Sequence, residues 1–261
     1  MNALRRVARV PFLVGGVWVV HLVLAAAFGS MLHASAVAAT EPHSALPDGR
    51  DLFHLAELLD AEKSLAVLGL GGAFGSMLAA IVVWMLVSPI VIARLDGRSV
   101  SESIAIGIRS LPAVAVQTVW HGGLRLVALL LALMVIGPAP GAVKVLLLAI
   151  ALGGCALALD LVRVQVTLHE AARFHVRSAL FAFVRTFTDA RFLAAGVGLY
   201  AVQMFCAAAM VLAGLHSVGD GSTLWAARLL SGVAVVAGLV RLAFVVERGE
   251  VSLVKLPRDR D

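Results

Sequence analysis

Six long apolar stretches constrain this chain more than any other feature of its sequence. A helix needs about 20 consecutive apolar residues to cross the hydrocarbon core of a bilayer. Apolar side chains make up 61% of the 261 residues and charged side chains only 14%, whereas soluble domains have about 45–50% and roughly 25%. We therefore predict an all-α integral membrane protein with six transmembrane helices, at roughly Phe12–Leu32, Leu65–Ala93, Leu111–Gly137, Val143–Leu161, Phe192–Leu215 and Leu224–Val246.

The charge of the connecting segments predicts the direction of the spans. Segments rich in Arg or Lys alternate with acidic or nearly uncharged ones, and basic segments stay cytoplasmic during insertion. The predicted outer loop 33–64 is acidic, whereas the basic segments are the N-terminus, the cytoplasmic junctions 94–110 and 162–191, and the cytoplasmic tail 247–261. We expect one polytopic domain over residues 1–261, built as three tandem hairpins with both termini in the cytoplasm.

The N-terminus also resembles a secretory signal. It is basic, then apolar, and then reads "HASAVAA" from His33, which contains small-residue cleavage sites. Its apolar run, Phe12–Leu32, spans 21 residues and is longer than a typical signal core of about 7–15 residues. We therefore expect the first span to be retained.

The stretch "LHEAARFHVRS" (Leu168–Ser178) resembles two known motifs and fits neither. A zinc-protease helix needs a second His four residues after the first, but Arg173 occupies that position relative to His169. The letters Glu-Ala-Ala also occur in the docking loop of ATP-driven importers, where a glycine follows six residues after the Glu. Here that position is Val176. We expect no metal site in this stretch.

An internal repeat explains the stretch better. At an offset of 68 residues, Glu102 aligns with Glu170 and Arg109-Ser110 with Arg177-Ser178. Residues seven apart share a helix face, and Glu170 can also pair with Arg173 at i and i+3. Both junctions are predicted to form short interfacial amphipathic helices. They serve either as plain connectors or as docking surfaces for a cytoplasmic partner or acidic lipid headgroups, through Glu102, Arg109, Glu170, Arg173 and Arg177.

Ionisable residues within spans are candidate functional residues, because each costs about 2.5–3.5 kcal/mol at mid-helix. Arg125 lies in the inner half of the third span, with His121 one helical turn nearer the cytoplasm. Arg125 either extends to the inner headgroups, pairs with Asp160 of the fourth span, or binds an anionic ligand or lipid phosphate. Asp160 has a second possible partner in Arg163, at i+3 on its own helix.

Most catalytic and binding classes lack a signature in this sequence. We find no Ser–His–Asp set, no paired carboxylates within one span, no metal-ligand spacing, no phosphate-binding glycine loop and no nucleic-acid module. We therefore expect neither catalysis nor a cofactor. Cys155 and Cys206 are predicted to pack in the apolar core, and glycines such as Gly71 and Gly75 let helices approach closely.

Three segments carry a resemblance to a known group. They are "PDGRDLFHLAELLDAEKSLAVLG" from Pro47, "GGLRLVALLLAL" from Gly122 and "DLVRVQVTLHEAARFHVRSALFAFVR" from Asp160. Together they resemble an uncharacterised family of bacterial multi-pass membrane proteins, with matching positions at Asp160, Arg163, Glu170 and Arg177-Ser178. The chain is also distantly similar to the membrane domain attached to some glycerophosphodiester phosphodiesterases, without their soluble catalytic domain. The resemblance implies the bacterial inner membrane.

Two functional classes remain from the sequence. The first is a non-catalytic membrane subunit that scaffolds or recruits protein partners in a larger assembly. The second is a transporter or permease-type subunit that moves a small molecule, an anion or a lipid. Membrane lipids are expected partners in either case. The two classes differ in whether polar residues line a path through the bundle or another protein covers its apolar outer face.

Overall fold

The chain is built from helices. The computed structural model describes residues 2–24, 63–136, 141–169, 176–216 and 221–252, and this part of the chain contains no strand. Its eight helices are α1 (Asn2–Ala8), α2 (Pro11–Leu24), α3 (Lys63–Leu95), α4 (Val100–Ile136), α5 (Gly141–Leu168), α6 (Val176–Thr188), α7 (Ala190–His216) and α8 (Gly221–Ser252). The all-α prediction is therefore confirmed for the described residues, and the predicted outer loop falls outside them up to residue 62.

Among the residues that the structure describes, four helices are long and apolar enough to cross a membrane. Their qualifying segments are Leu78–Leu95, Val100–Ala132, Leu146–Leu168 and Arg228–Arg248. Two shorter apolar helical segments, Pro11–Leu24 and Ala190–Cys206, coincide with the predicted first and fifth spans. A helical membrane protein is thus supported, whereas the count of six spans and their direction remain predictions.

The chain divides into two compact units, of which the larger comprises Met1–Val14, Met85–Phe205 and Ala234–Asp261. Within it, α4 packs against α5 and α6, and α5 packs against α6. Burial of apolar side chains contributes roughly 25 cal/mol per Å² of apolar surface removed from water. The largest fully buried side chains of this unit are mostly aliphatic, among them Ile92, Leu157, Val162, Leu239 and Leu242.

The smaller unit comprises Gly15–Trp84 and Cys206–Val233. In it, the Trp18 indole Nε1 donates a hydrogen bond to the Ser231 hydroxyl over 2.8 Å. An indole N–H in an apolar setting needs such a partner, so this bond ties α2 to α8 within the unit.

The turn between α3 and α4 follows from the sequence "LDGRS". Gly97 adopts a left-handed φ of 93°, and the Arg98 N–H donates to the Ala93 carbonyl over 3.1 Å. This pattern is the Schellman ending of a helix. Ser99 then begins α4: its N–H donates to the Glu102 carboxylate over 2.9 Å, and its hydroxyl accepts from the Glu102 N–H over 3.3 Å. The reciprocal pair is a capping box.

The junction 94–110, predicted to be cytoplasmic, does not form a separate helix, contrary to the prediction. Residues from Val100 onward belong to α4, a single helix of 37 residues, or about 55 Å at 1.5 Å per residue. The capping box at Ser99 starts the helix, and no residue ends it before the predicted span. Pro112 lies inside α4 and removes one backbone N–H. A transmembrane helix tolerates such a loss when neighbouring groups compensate.

The second junction does contain a separate amphipathic helix. In α6, Ala179, Ala182 and Thr186 are buried along one face. Asp189 lies between α6 and α7. It caps α7, because its carboxylate accepts a hydrogen bond from the Phe192 N–H over 3.0 Å. Glu170 and Arg173 lie outside the described residues, and His169 is exposed just beyond the end of α5.

Glycines allow close helix packing in the larger unit. A Cβ at Gly196 would overlap Leu157 of α5, and a Cβ at Gly154 would lie 2.5 Å from the Phe187 ring. By contrast, a Cβ at Gly198 would meet no described atom within 4 Å. The surroundings of Gly71 and Gly75 are outside the described part of the structure, whereas Cys155 and Cys206 are buried and form no disulfide.

Candidate functional site

Ionisable side chains are buried on the face of α5 that points into the larger unit. Asp160 is 2% exposed and Arg163 is 3% exposed. The apolar residues around them, Leu157, Leu161 and Val162, are equally buried. Residues three apart lie on one helix face, so α5 presents both charges to its neighbouring helices.

Asp160 forms an ion pair with α8. The Arg241 Nε lies 2.8 Å from the Asp160 Oδ2, and the two side chains are 11% and 3% exposed. The same guanidinium donates from Nη1 to the Gln203 Oε1 of α7 over 2.6 Å. One arginine therefore links three helices, and charge-assisted bonds of this type are among the strongest polar contacts in proteins.

Gln203 completes the arrangement on the α7 side. Its Nε2 donates to the Ala234 carbonyl over 3.2 Å, so both ends of the amide are bonded. A Cβ at Gly238 would overlap this amide; glycine there lets Gln203 lie directly against α8. The Tyr200 ring centroid is 5.7 Å from the Arg241 guanidinium carbon, which allows a cation–π contact. We call Asp160, Arg163, Gln203 and Arg241 the charged cluster.

Arg163 is poorly satisfied by comparison with Arg241. Its Nη2 donates to the Thr118 hydroxyl of α4 over 3.5 Å, which is at the limit of a hydrogen bond. The buried Nε has no hydrogen-bond partner among the described residues. Arg163 lies within electrostatic reach of both Asp160 and Arg241. The Asp160 carboxylate pairs with Arg241 and forms no salt bridge with Arg163 among the described residues.

His121 lies beside Arg163 on the α4 side. It is 3% exposed, and its Nε2 has no hydrogen-bond partner within the described part of the chain. Thr118 and His121 are three residues apart on α4 and share a face, and His121 is in electrostatic reach of Arg163. Next to the charged cluster, the His121 Nε2 and the Arg163 Nε are therefore both buried, and neither has a hydrogen-bond partner among the described residues.

The buried charges do not cancel. The charged cluster holds two arginines and one aspartate, so its formal charge is +1 with His121 neutral. Isolated charges are expensive in an apolar medium and are usually paired or bound to a ligand. Within the described residues, no group of three His, Cys, Asp or Glu side chains is placed to hold a metal ion, and the chemistry that the cluster itself offers is that of a cation.

Asp160 is hydrogen-bonded to a residue other than the two partners, Arg125 and Arg163, that the sequence left open. Its hydrogen-bonded partner is Arg241, and neither Arg125 nor Arg163 forms a salt bridge with it in the described part of the chain. The Arg125 side chain is exposed on the surface of α4, although His121, one helical turn earlier, is buried. Four residues advance a helix by about 400°, or 40° beyond a full turn, which carries Arg125 past the edge of the buried face. Its interaction with headgroups remains a prediction.

Arg241 and Gln203 are the residues that sequence reasoning missed. Arg241 lies in the predicted sixth span and Gln203 in the predicted fifth, and polar residues in spans are candidates by default. The sequence contained that signal. It did not show which residues pair, because Asp160 and Arg241 are 81 positions apart.

The predicted junction residues lie on the surface of the larger unit. Glu102 and Arg109 are both exposed and line one shallow groove of about 240 Å³ together with Arg98. Their predicted common face is therefore confirmed. Arg177 is exposed at the start of α6, while Glu170 and Arg173 fall in the undescribed segment 170–175.

Comparisons with known proteins identify no relative. No family model, no curated protein and no solved structure matches this chain. The resemblance to bacterial multi-pass membrane proteins and to phosphodiesterase membrane domains therefore stays a prediction, and a function has to be inferred from the charged cluster.

Proposed function

We propose that the protein is a multi-pass protein of the bacterial inner membrane that acts as a transporter or permease-type subunit for a small solute. In this proposal it has six spans and both termini are cytoplasmic. The observation that carries the proposal is the charged cluster itself, because Asp160, Arg163 and Arg241 are ionisable groups buried among apolar helices. Such groups mark substrate and ion pathways in membrane proteins.

A purely structural role explains the charged cluster less well. Replacing a buried ion pair by apolar residues is often neutral or stabilising, so such a pair is weak evidence of a stability device. If the cluster only held the helices together, Arg241 would be sufficient, because it bonds both Asp160 and Gln203. Arg163 adds a second positive charge, and its Nε is unbonded among the described residues. This surplus favours a site that meets a solute.

A flux measurement on reconstituted protein tests the proposal. The purified protein is placed in liposomes, and uptake of a panel of anions, cations and neutral metabolites is compared with protein-free liposomes. We expect uptake of at least one solute, reduced by about tenfold or more in Asp160→Asn, the effect of losing ~1.4 kcal/mol. Arg125→Gln is the matched control, because the Arg125 side chain is exposed on the surface of α4. Uptake that never exceeds the protein-free level would refute a transport function.

A scaffold or recruitment role is the second candidate, and α6 favours it. The face of α6 opposite its buried residues carries exposed Leu180, Phe181 and Val184 beside exposed Arg177. A helix of this kind binds an anionic lipid surface or an apolar groove on a partner. Gentle detergent extraction from the native membrane followed by mass spectrometry tests it. A stoichiometric protein partner lost on Leu180→Glu supports this role, and a protein that emerges alone contradicts it.

A further inference from the structure

We propose that Arg163 and His121 form a binding site for one small monovalent anion inside the helix bundle. This inference rests on the proposed function. It names the chemical class of the transported solute and the protein atoms that bind it. The ligand is defined by its chemistry: a halide or a small oxyanion that accepts N–H hydrogen bonds and carries one negative charge.

The first support is the unused hydrogen-bonding capacity of Arg163. Its side chain is buried, its Nε has no hydrogen-bond partner among the residues that the structure describes, and its Nη2 reaches the Thr118 hydroxyl only at 3.5 Å. A buried donor without an acceptor carries a desolvation penalty. A guanidinium presents five N–H donors in one plane and no acceptor, so an anion is the partner that this group lacks.

The second support is the adjacent His121. Its Nε2 is also buried without a partner in the described ranges, and the ring belongs to the same face of α4 as Thr118. In the Nε2–H tautomer, His121 adds a second donor at the α4 edge of the charged cluster. Thr118 adds none, because its hydroxyl proton is donated to the Val114 carbonyl over 2.7 Å. Because His121 is in electrostatic reach of Arg163, the same region of the larger unit holds two buried nitrogens that lack partners among the described residues.

The third support is charge. Asp160 and Arg241 neutralise each other at 2.8 Å, which leaves the charge of Arg163 uncompensated within the charged cluster. One bound monovalent anion brings the whole charged cluster to neutrality. Gln203 cannot supply the compensation, because its amide is neutral; its Oε1 is bonded to Arg241. The anion therefore completes a charge balance that the described residues of the cluster leave open.

Binding is tested on the full-length protein in nanodiscs. Thermal unfolding is followed while sodium gluconate is replaced by sodium chloride, nitrate, formate or phosphate at constant ionic strength. We expect a saturable rise in Tm with at least one small monovalent anion. In Arg163→Gln, apparent affinity falls by about 10- to 100-fold, as expected for the loss of one charged hydrogen bond. Arg125→Gln is the control and retains the wild-type response.

Two further measurements keep the inference falsifiable if Arg163→Gln does not fold. His121→Phe removes the second donor and is expected to weaken binding without abolishing it. In the wild-type protein, the 15N resonance of the Arg163 Nε–H is expected to shift during the same titration. Equal, non-saturating responses to all salts, or an Arg163 resonance that does not move, would overturn the site.

The outcomes separate this inference from the proposed function. Saturable anion binding without flux of any solute supports the site and refutes transport. Flux of a cation or a neutral solute without anion binding refutes the site and leaves transport standing. If anion flux is observed and is lost in Arg163→Gln but not in Arg125→Gln, both are supported.

Discussion

Asp160 of α5 and Arg241 of α8 meet at 2.8 Å although 81 positions separate them in the sequence. The pair joins two helices of the larger unit, and Gln203 extends the link to α7. Its position among aliphatic side chains makes both residues sensitive to loss of the partner. Removal of one member of a buried pair leaves an uncompensated charge, which typically costs about 3–5 kcal/mol.

We therefore expect Asp160→Leu and Arg241→Leu each to destabilise the protein by about 3–5 kcal/mol. The double variant is expected to lose less than the sum, because neither charge remains unpaired. Unfolding in a mild detergent, followed by near-ultraviolet circular dichroism, measures all four members of this cycle. Additive effects of the two substitutions would show that the residues do not interact.

Gly196→Ala is expected to destabilise the packing of α7 against α5. The added Cβ would overlap Leu157, and overpacking of this kind costs about 1–3 kcal/mol. Gly198→Ala on the same helix is the control, since its Cβ would meet no described atom within 4 Å. Thermal melts of the two variants should differ in sign or clearly in size; equal melting temperatures would contradict the close contact.

Gly97→Ala is expected to destabilise the protein by about 1–2 kcal/mol, because a residue with a Cβ is strained at a left-handed φ. The φ of Gly97 is 93°, and this geometry ends α3 just before the capping box of α4. Gly123→Ala provides the comparison: it is an exposed helical position with open space, where alanine favours the helix. Melting temperatures of both variants check the prediction, and an unchanged value for Gly97→Ala would contradict it.

Fluorescent-protein and alkaline-phosphatase fusions test the predicted direction of the spans. We expect a fluorescent fusion at either terminus to be bright and a phosphatase fusion at either terminus to be inactive, because the basic end segments stay cytoplasmic. A cysteine introduced in the predicted outer loop, for example Ser44→Cys, should react with an impermeant maleimide added to intact cells. An active phosphatase at either terminus would reverse that end of the topology.

Sequence reasoning predicted the helices well because the signal for them is local. Apolar runs of span length are read directly from composition, and the predicted Val143–Leu161 falls within α5 while Leu224–Val246 falls within α8. These properties depend on a residue and its immediate neighbours. Arg163 was placed wrongly in the cytoplasmic junction 162–191, because the apolar run ends at Leu161; the helix continues to Leu168 and Arg163 is buried within it.

Pairing could not be predicted in the same way. The nearest ionisable residues to Asp160 in the sequence included Arg163, and the span pattern suggested Arg125, yet the partner is Arg241. That choice depends on the rotation of α4, which carries Arg125 outward, and on which helix packs against α5. Likewise, the junction before the third span was expected as a separate helix. The cap at Ser99 instead made it the first three turns of α4.

α4 extends from the groove lined by Arg98, Glu102 and Arg109 to the charged cluster. Glu102 and His121 are 19 positions apart on one uninterrupted helix, or about 28 Å along the axis. If a helix of that length tilts as one unit by about 6°, one end moves by roughly 3 Å relative to the other. A ligand in the groove between Arg98 and Arg109 that tilted α4 would therefore also displace the His121 ring without touching it.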